Sequence, residues 1–159
     1  GNAQILLEAE NELRGAPTAA VARSFVLRLA GIYGPGRHHL LDQLRAGLDT
    51  MGGGMHRLNL AHRDDIVAAI FACFTAPPMV TSGMFNVADD SPAPKEEVIK
   101  WLAAKLRRAV PNFETSVSSR RGGEPPLDRV ISNARLKAGL GWRPEYPSYR
   151  QGYENLLSR

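Results

Sequence analysis

The sequence predicts an α/β fold, and three observations carry the prediction. Segments of helical periodicity alternate with short apolar runs suited to strands. Glycine- and proline-rich stretches separate them, with 15 glycines and 11 prolines in 159 residues. The alternation opens on a helix and offers only three candidate strands. A complete doubly wound domain opens on a strand and has more of them. The chain therefore reads as the C-terminal portion of a doubly wound α/β fold, a single unit over residues 1–159.

Gln4 to Arg14 is read as a helix, because Ile5, Leu6, Ala9 and Leu13 share a face and Glu8, Glu10 and Glu12 lie elsewhere; Gly15, Ala16 and Pro17 end it. Ser24 to Leu29 is apolar enough for a buried strand, and His38 to Leu48 suits a helix. Arg28 within that strand is expected to pair with a carboxylate or carbonyl. Gly52-Gly53-Gly54 is a turn, and Leu58 to Ala61 is a short extended piece. Asp64 is expected to cap a helix over Asp65 to Thr75, which Pro77-Pro78 stops. Gly83 to Ala88 is the second strand, and SPAPKEEVIKWLAAKL is a loop running into a helix with proline near its first turn. Glu114 to Ser118 is the third strand, followed by the polar loop RRGGEPPLDR. Ser132-Asn133 caps a short helix ending near Gly139 to Gly141, and a last helix covers Tyr149 to Leu157.

Composition narrows the functional classes. With 43% hydrophobic and 23% charged residues the chain is an ordinary globular protein. The single cysteine, Cys73, sits inside IVAAIFACF as a small core residue, which excludes an internal disulfide and fits a reducing, cytoplasmic location. No apolar run reaches the roughly 20 residues needed to cross a bilayer, and GNAQILLEAE lacks the features of a signal peptide. Net charge is +4, yet the 20 lysines and arginines are scattered, with Arg107-Arg108 and Arg120-Arg121 the densest pairs. No aromatic residues alternate with them, so nucleic acid is not the expected partner.

The stretch Gly34-Pro35-Gly36-Arg37-His38-His39 imitates a dinucleotide fingerprint but has His39 where the third glycine belongs. Gly52-Gly53-Gly54 fails in the same way at Arg57, and no phosphate-binding GK[ST] occurs. His38 and His39 diverge as neighbours on a helix, and His56 and His62 lack ligand spacing, so no metal site is expected.

Four stretches in order resemble a known family. LRLAGIYGPGR, Leu27 to Arg37, resembles the strand and loop that follow the catalytic helix in extended short-chain dehydrogenases, the NAD-dependent epimerase/dehydratase family. Asn59 to Ile70 (NLAHRDDIVAAI) resembles its substrate-side segment, and Gly83 to Pro92 (GMFNVADDSP) its next strand and turn. Ile131 to Tyr153 resembles the C-terminal end of an atypical subgroup. The resemblance implies a Rossmann-like fold with the substrate-binding lobe present and the N-terminal dinucleotide-binding half absent. It also implies a Tyr-x-x-x-Lys pair, but the residues four after the tyrosines are Arg37, Arg150, Tyr153 and Leu157. No catalytic residue is therefore assigned to this chain.

In an intact parent the resemblance implies hydride transfer between NAD or NADP and a carbon bearing a hydroxyl or carbonyl. The substrate would be a small molecule, with a nucleotide sugar the candidate, and the chain alone would bind no cofactor. Leu29, Ala30 and Gly31 would meet the nicotinamide end; as a strand end they equally suit small residues for packing. Tyr33 and Arg37 are candidates for the substrate wall, a guanidinium being able to grip a phosphate or carboxylate. His62, before a helix N-terminus, is a third, and Arg129, with Arg120 and Arg121 beside the polar loop, a fourth. Two other classes stay open: a non-catalytic binding or regulatory module of the same fold, and a self-contained basic domain that binds nucleic acid. A fragment of this kind would also expose a sheet edge and apolar helix faces, and so self-associate.

Overall fold

The run from Ser24 to Tyr33 organises the molecule. Its first part, β1 (Ser24–Leu29), pairs in parallel with β6 (Ser82–Val87), from Ser24↔Ser82 to Leu29↔Val87. Its second part, β2 (Gly31–Tyr33), pairs in parallel with β5 (Leu60–His62). The change of partner falls on Ala30, whose N–H donates to Val87 O at 3.0 Å while the next, from Gly31, donates to Asn59 O at 2.9 Å. A Cβ at Gly31 would stand 2.9 Å from that same Asn59 oxygen, so only glycine lets the backbones close there.

The computed structural model describes residues 2–15, 23–52, 55–80, 82–114 and 128–158. Among them, β3 (Thr50–Gly52) runs parallel to β8 (Asn112–Glu114), and β4 (Arg57–Leu58) antiparallel to β7 (Ala93–Pro94). The helices are α1 (Asn2–Gly15), α2 (His39–Arg45), α3 (Arg63–Phe74), α4 (Lys95–Leu106), α5 (Ala134–Leu140) and α6 (Tyr149–Leu157). The expected α/β alternation is present, but the three expected strands become eight short ones among the described residues. Strands of two or three residues carry no period a sequence reading can detect.

Other boundaries move for local reasons. Helix α2 stops before Leu48 because Gly47 turns to φ 72°, and its N–H closes on Leu44 O at 3.1 Å. Helix α3 is capped by His62 and not by Asp64: the imidazole Nδ1 accepts from the Asp64 N–H at 3.3 Å. The third strand is Asn112–Glu114, earlier than expected, and 115–118 lie outside the described residues. So do Gly53-Gly54 and, of the polar loop, Arg120 to Leu127.

Two apolar clusters form. One joins α2, α4 and α6 through Leu41, Leu44, Ile99, Leu102, Tyr153 and Leu156, with Tyr33 and Leu60 at its floor. The other packs α3 and α5 on the β1–β6 pair through Ile66, Ala69, Phe85, Val87, Leu136 and Trp142. Cys73, expected in the core, is only half-buried and lines a groove with Phe25, Leu27 and Ile70. Among the described residues, the neighbouring α3 side chains Ile70, Phe71 and Phe74 are exposed.

Candidate functional site

The C-terminal ends of β2 and β5 carry the candidate site. Parallel pairing sets Tyr33 directly opposite His62, with ring centroids 5.2 Å apart at 82°. Tyr146 approaches His62 at 4.0 Å, and Tyr153 approaches Tyr33 at 4.8 Å. The sequence reading named two of these four rings; Tyr146 and Tyr153 arrive from distant segments. Two of the expected substrate-side residues are buried, Tyr33 at 3% exposure and His62 at 0%, while Arg37 is exposed. Burial, reinforced by the nearby Asp89 charge, pushes the Tyr33 hydroxyl far above its usual range. The hydroxyl therefore stays protonated, with an O–H to donate and an oxygen to accept.

After Tyr33 the chain makes a tight reversal. Gly34 and Arg37 exchange backbone hydrogen bonds at 2.9 Å in both directions, Pro35 follows Gly34, and Gly36 has φ 76°. These are the demands of a type II turn, with proline second and glycine third. The loop also lies hard against α3: a Cβ on Gly34 would come within 2.8 Å of Arg63 Cβ. Arg63 in turn donates to Pro35 O at 3.3 Å and pairs with Asp64 at 2.9 Å. The Gly34 and Arg37 N–H groups each donate to the other residue's carbonyl, so this glycine-proline loop is no pyrophosphate cradle.

Arg37 is exposed on the turn, its Nε donating to Ile32 O at 3.3 Å. Arg129 reaches the same end of the sheet through a residue the sequence reading missed. Asn59 accepts from Gly31 through its carbonyl, donates from Nδ2 to Arg129 O at 2.9 Å, and accepts from Ile131 N at 2.7 Å. This clip puts exposed Arg129 beside Leu29, Ala30 and Gly31, of which Leu29 and Gly31 are exposed and Ala30 half-buried. An asparagine between two short strands was the only signal.

Two buried carboxyls complete the floor. Asp65, 3% exposed, accepts from the N–H groups of Glu145 at 2.7 Å and Tyr146 at 3.2 Å. Burial raises its carboxyl, and those two bonds oppose the rise. Asp65, expected only as the first residue of its helix, thus fastens a distant segment. Asp89, 4% exposed, is pushed up to about 7, mainly by burial and then by Asp90 and Asp65, against one bond from Ser91 N. Asp90 behaves oppositely, held low by Asn133 and Lys137 despite some burial. Arg28 pairs with Glu10 at 2.5 Å, as expected, but on the surface. Among the described residues no group of three His, Cys, Asp or Glu could hold a metal ion, and no helix is long and apolar enough to cross a membrane.

No family model matches the chain. A solved structure of a putative NAD-dependent epimerase/dehydratase from Methylobacillus flagellatus is 32% identical, covering 96% of this chain and 50% of its own, with a TM-score of 0.71. The chain resembles the C-terminal part of an NAD-dependent epimerase/dehydratase. Protein YeeZ of Escherichia coli K12 is 30% identical over 144 residues, 91% of this chain and 47% of YeeZ. The 3-diazoavenalumate denitrifying reductase of a Streptomyces species is 30% identical over 139 residues, 80% of this chain and 45% of the reductase. The chain thus spans about half the length of the curated relatives it matches. Two further epimerase-like structures, each 20% identical with TM-scores of 0.66 and 0.64, carry UDP-glucuronic acid and NAD and share the Rossmann-like fold.

Proposed function

We propose that this chain is the substrate-binding, C-terminal portion of an NAD(P)-dependent epimerase/dehydratase-like oxidoreductase, and that alone it neither holds the cofactor firmly nor turns over substrate. The observation that carries this reading is the outer edge of β1. Among the described residues that edge pairs with no strand. It is flanked by exposed apolar side chains of α1 (Leu6 66%, Leu7 51%) and α3 (Phe71 63%, Phe74 79%). A groove of about 710 Å³ follows it, lined by Leu6, Leu7, Leu13 and Val26. Exposed apolar surface beside an open strand edge calls for a covering partner, and the half-length match to longer relatives supports a further half of the same protein in that place.

In the completed fold, Leu29, Ala30 and Gly31 meet the nicotinamide end of NAD or NADP. Their place at the partner switch, with Leu29 and Gly31 exposed, supports that role and follows the rule that ligands bind where strands part. The cofactor supplies the hydride chemistry. Tyr33 and His62 form the wall beneath the substrate, and Arg37 and Arg129 stand on the rim, where guanidinium groups suit an anionic substrate. The nucleotide sugars held by two fold neighbours support that class.

Calorimetric titration of NAD into this chain alone tests the reading. No measurable binding is expected, and binding should appear when the N-terminal half of the Methylobacillus relative is co-expressed with it. Tight NAD binding by the isolated chain would overturn the proposal.

A further inference from the structure

The segment Gly141 to Ser148, between α5 and α6, has no regular structure and lies across the start of α3. Three of its groups fasten to one residue. Trp142 Nε1 donates to Asp65 O at 3.1 Å, and the Glu145 and Tyr146 N–H groups donate to the two carboxylate oxygens. Further on, Pro147 O accepts from the Asp90 N–H at 3.0 Å. The segment leaves α5 through Gly141, at φ 66°, and enters α6 through Ser148, whose hydroxyl accepts from Arg150 N at 3.2 Å. Helix α6 then lies on Tyr33. A Cβ at Gly152 would overlap the Tyr33 hydroxyl, so glycine makes the recess for it.

That hydroxyl is the unexplained feature. It is buried and, among the described residues, meets no hydrogen-bond partner. A buried phenol normally finds one, because leaving the group unpaired forfeits its hydration. Among the described residues α6 offers that atom no hydrogen-bond partner, although its Tyr153 ring packs on the Tyr33 ring with centroids 4.8 Å apart.

We propose that Gly141 to Ser148 is a strap, latched by Asp65, which holds α6 as a lid over Tyr33, and that release of the latch exposes the Tyr33 hydroxyl to a polar group of the substrate. The inference rests on the reading of Tyr33 as substrate wall. Gly141 supplies the hinge at one end. At the other, α6 is tied to α4 by two exposed ion pairs, Arg150–Glu97 at 3.0 Å and Lys105–Glu154 at 2.8 Å, which resist little, and by the Tyr149 hydroxyl, which donates to Glu97 at 2.8 Å. Tyr149, Tyr153 and Leu156 bury against the α4 side, so the open form is a minority state of the free chain.

Hydrogen exchange on the substrate-free chain, together with acetylation of Tyr33 read by mass spectrometry, tests the strap without cofactor or substrate. Asp65→Asn keeps the shape but loses an acceptor for one of the two N–H groups. The amides of residues 145 to 152 should exchange roughly tenfold faster, and Tyr33 should acetylate faster, with the α4 amides unchanged. Gly152→Ala, which lifts α6 without touching Asp65, should also speed Tyr33 acetylation. If α4 and α6 lose protection together in both variants, α6 is no separable lid and the proposal fails. Unchanged exchange and acetylation in both would overturn it equally. Because no cofactor enters the assay, its failure leaves the NAD test standing, and the reverse holds.

Discussion

Asp89 shows how a single buried group sets a pH response. Burial raises its carboxyl from the usual 3.8 to about 7, so the folded chain keeps a proton that the unfolded chain releases. The group's contribution to stability is full below the unfolded pKa and is lost as pH rises through about 7. Asp89→Asn should therefore flatten the stability profile between about pH 4 and 8 and stabilise the chain at the upper end by up to ~4 kcal/mol. Urea unfolding of both proteins at each end of that range reads it; parallel profiles would show that Asp89 ionises normally. The same burial keeps the Tyr33 hydroxyl protonated.

At the scale of elements, caps and turns decide where the site's parts stop. Helix α6 begins at Ser148, whose hydroxyl takes the Arg150 N–H. Ser148→Ala should cost about 1 kcal/mol and fray the first turn, measured as a lower urea midpoint with unchanged slope. A loss below a few tenths would mean that Pro147 and the Asp90 N–H hold that end unaided. Helix α3 uses a histidine cap in place of the expected aspartate, which draws His62 inward and opposite Tyr33. The turn after β2 needs glycine at residue 36 for its positive φ, so the Gly-Pro-Gly pattern serves geometry and not phosphate.

At the scale of the molecule, the open β1 edge and the apolar faces beside it make self-association the expected behaviour of this chain in isolation. The pair of substitutions Leu6→Glu and Phe71→Glu, at side chains 66% and 63% exposed, should shift the chain toward monomer while changing stability by no more than about 0.5 kcal/mol. Sedimentation velocity measures the first and urea unfolding the second. A chain already monomeric without the substitutions would argue that this face needs no cover.

The α/β class, the strand Ser24–Leu29, the last helix Tyr149–Leu157 and the failure of the glycine fingerprint were all legible in the sequence. Each depends on local period, a cap or the identity of one residue, and such information is carried by neighbours in the chain. The resemblance to epimerase/dehydratases was legible too, since four short stretches stand in order along one polypeptide. What the sequence could not show was the change of strand partner at Ala30, the Asn59 clip, the Asp65 latch and the burial of Tyr33 beneath Gly152. Residues 70 to 119 positions apart meet in those contacts, except at the strand switch itself. Only three-dimensional closure creates the low-dielectric setting that raises Asp89 and silences Tyr33, because burial belongs to the packed whole and to no segment of it.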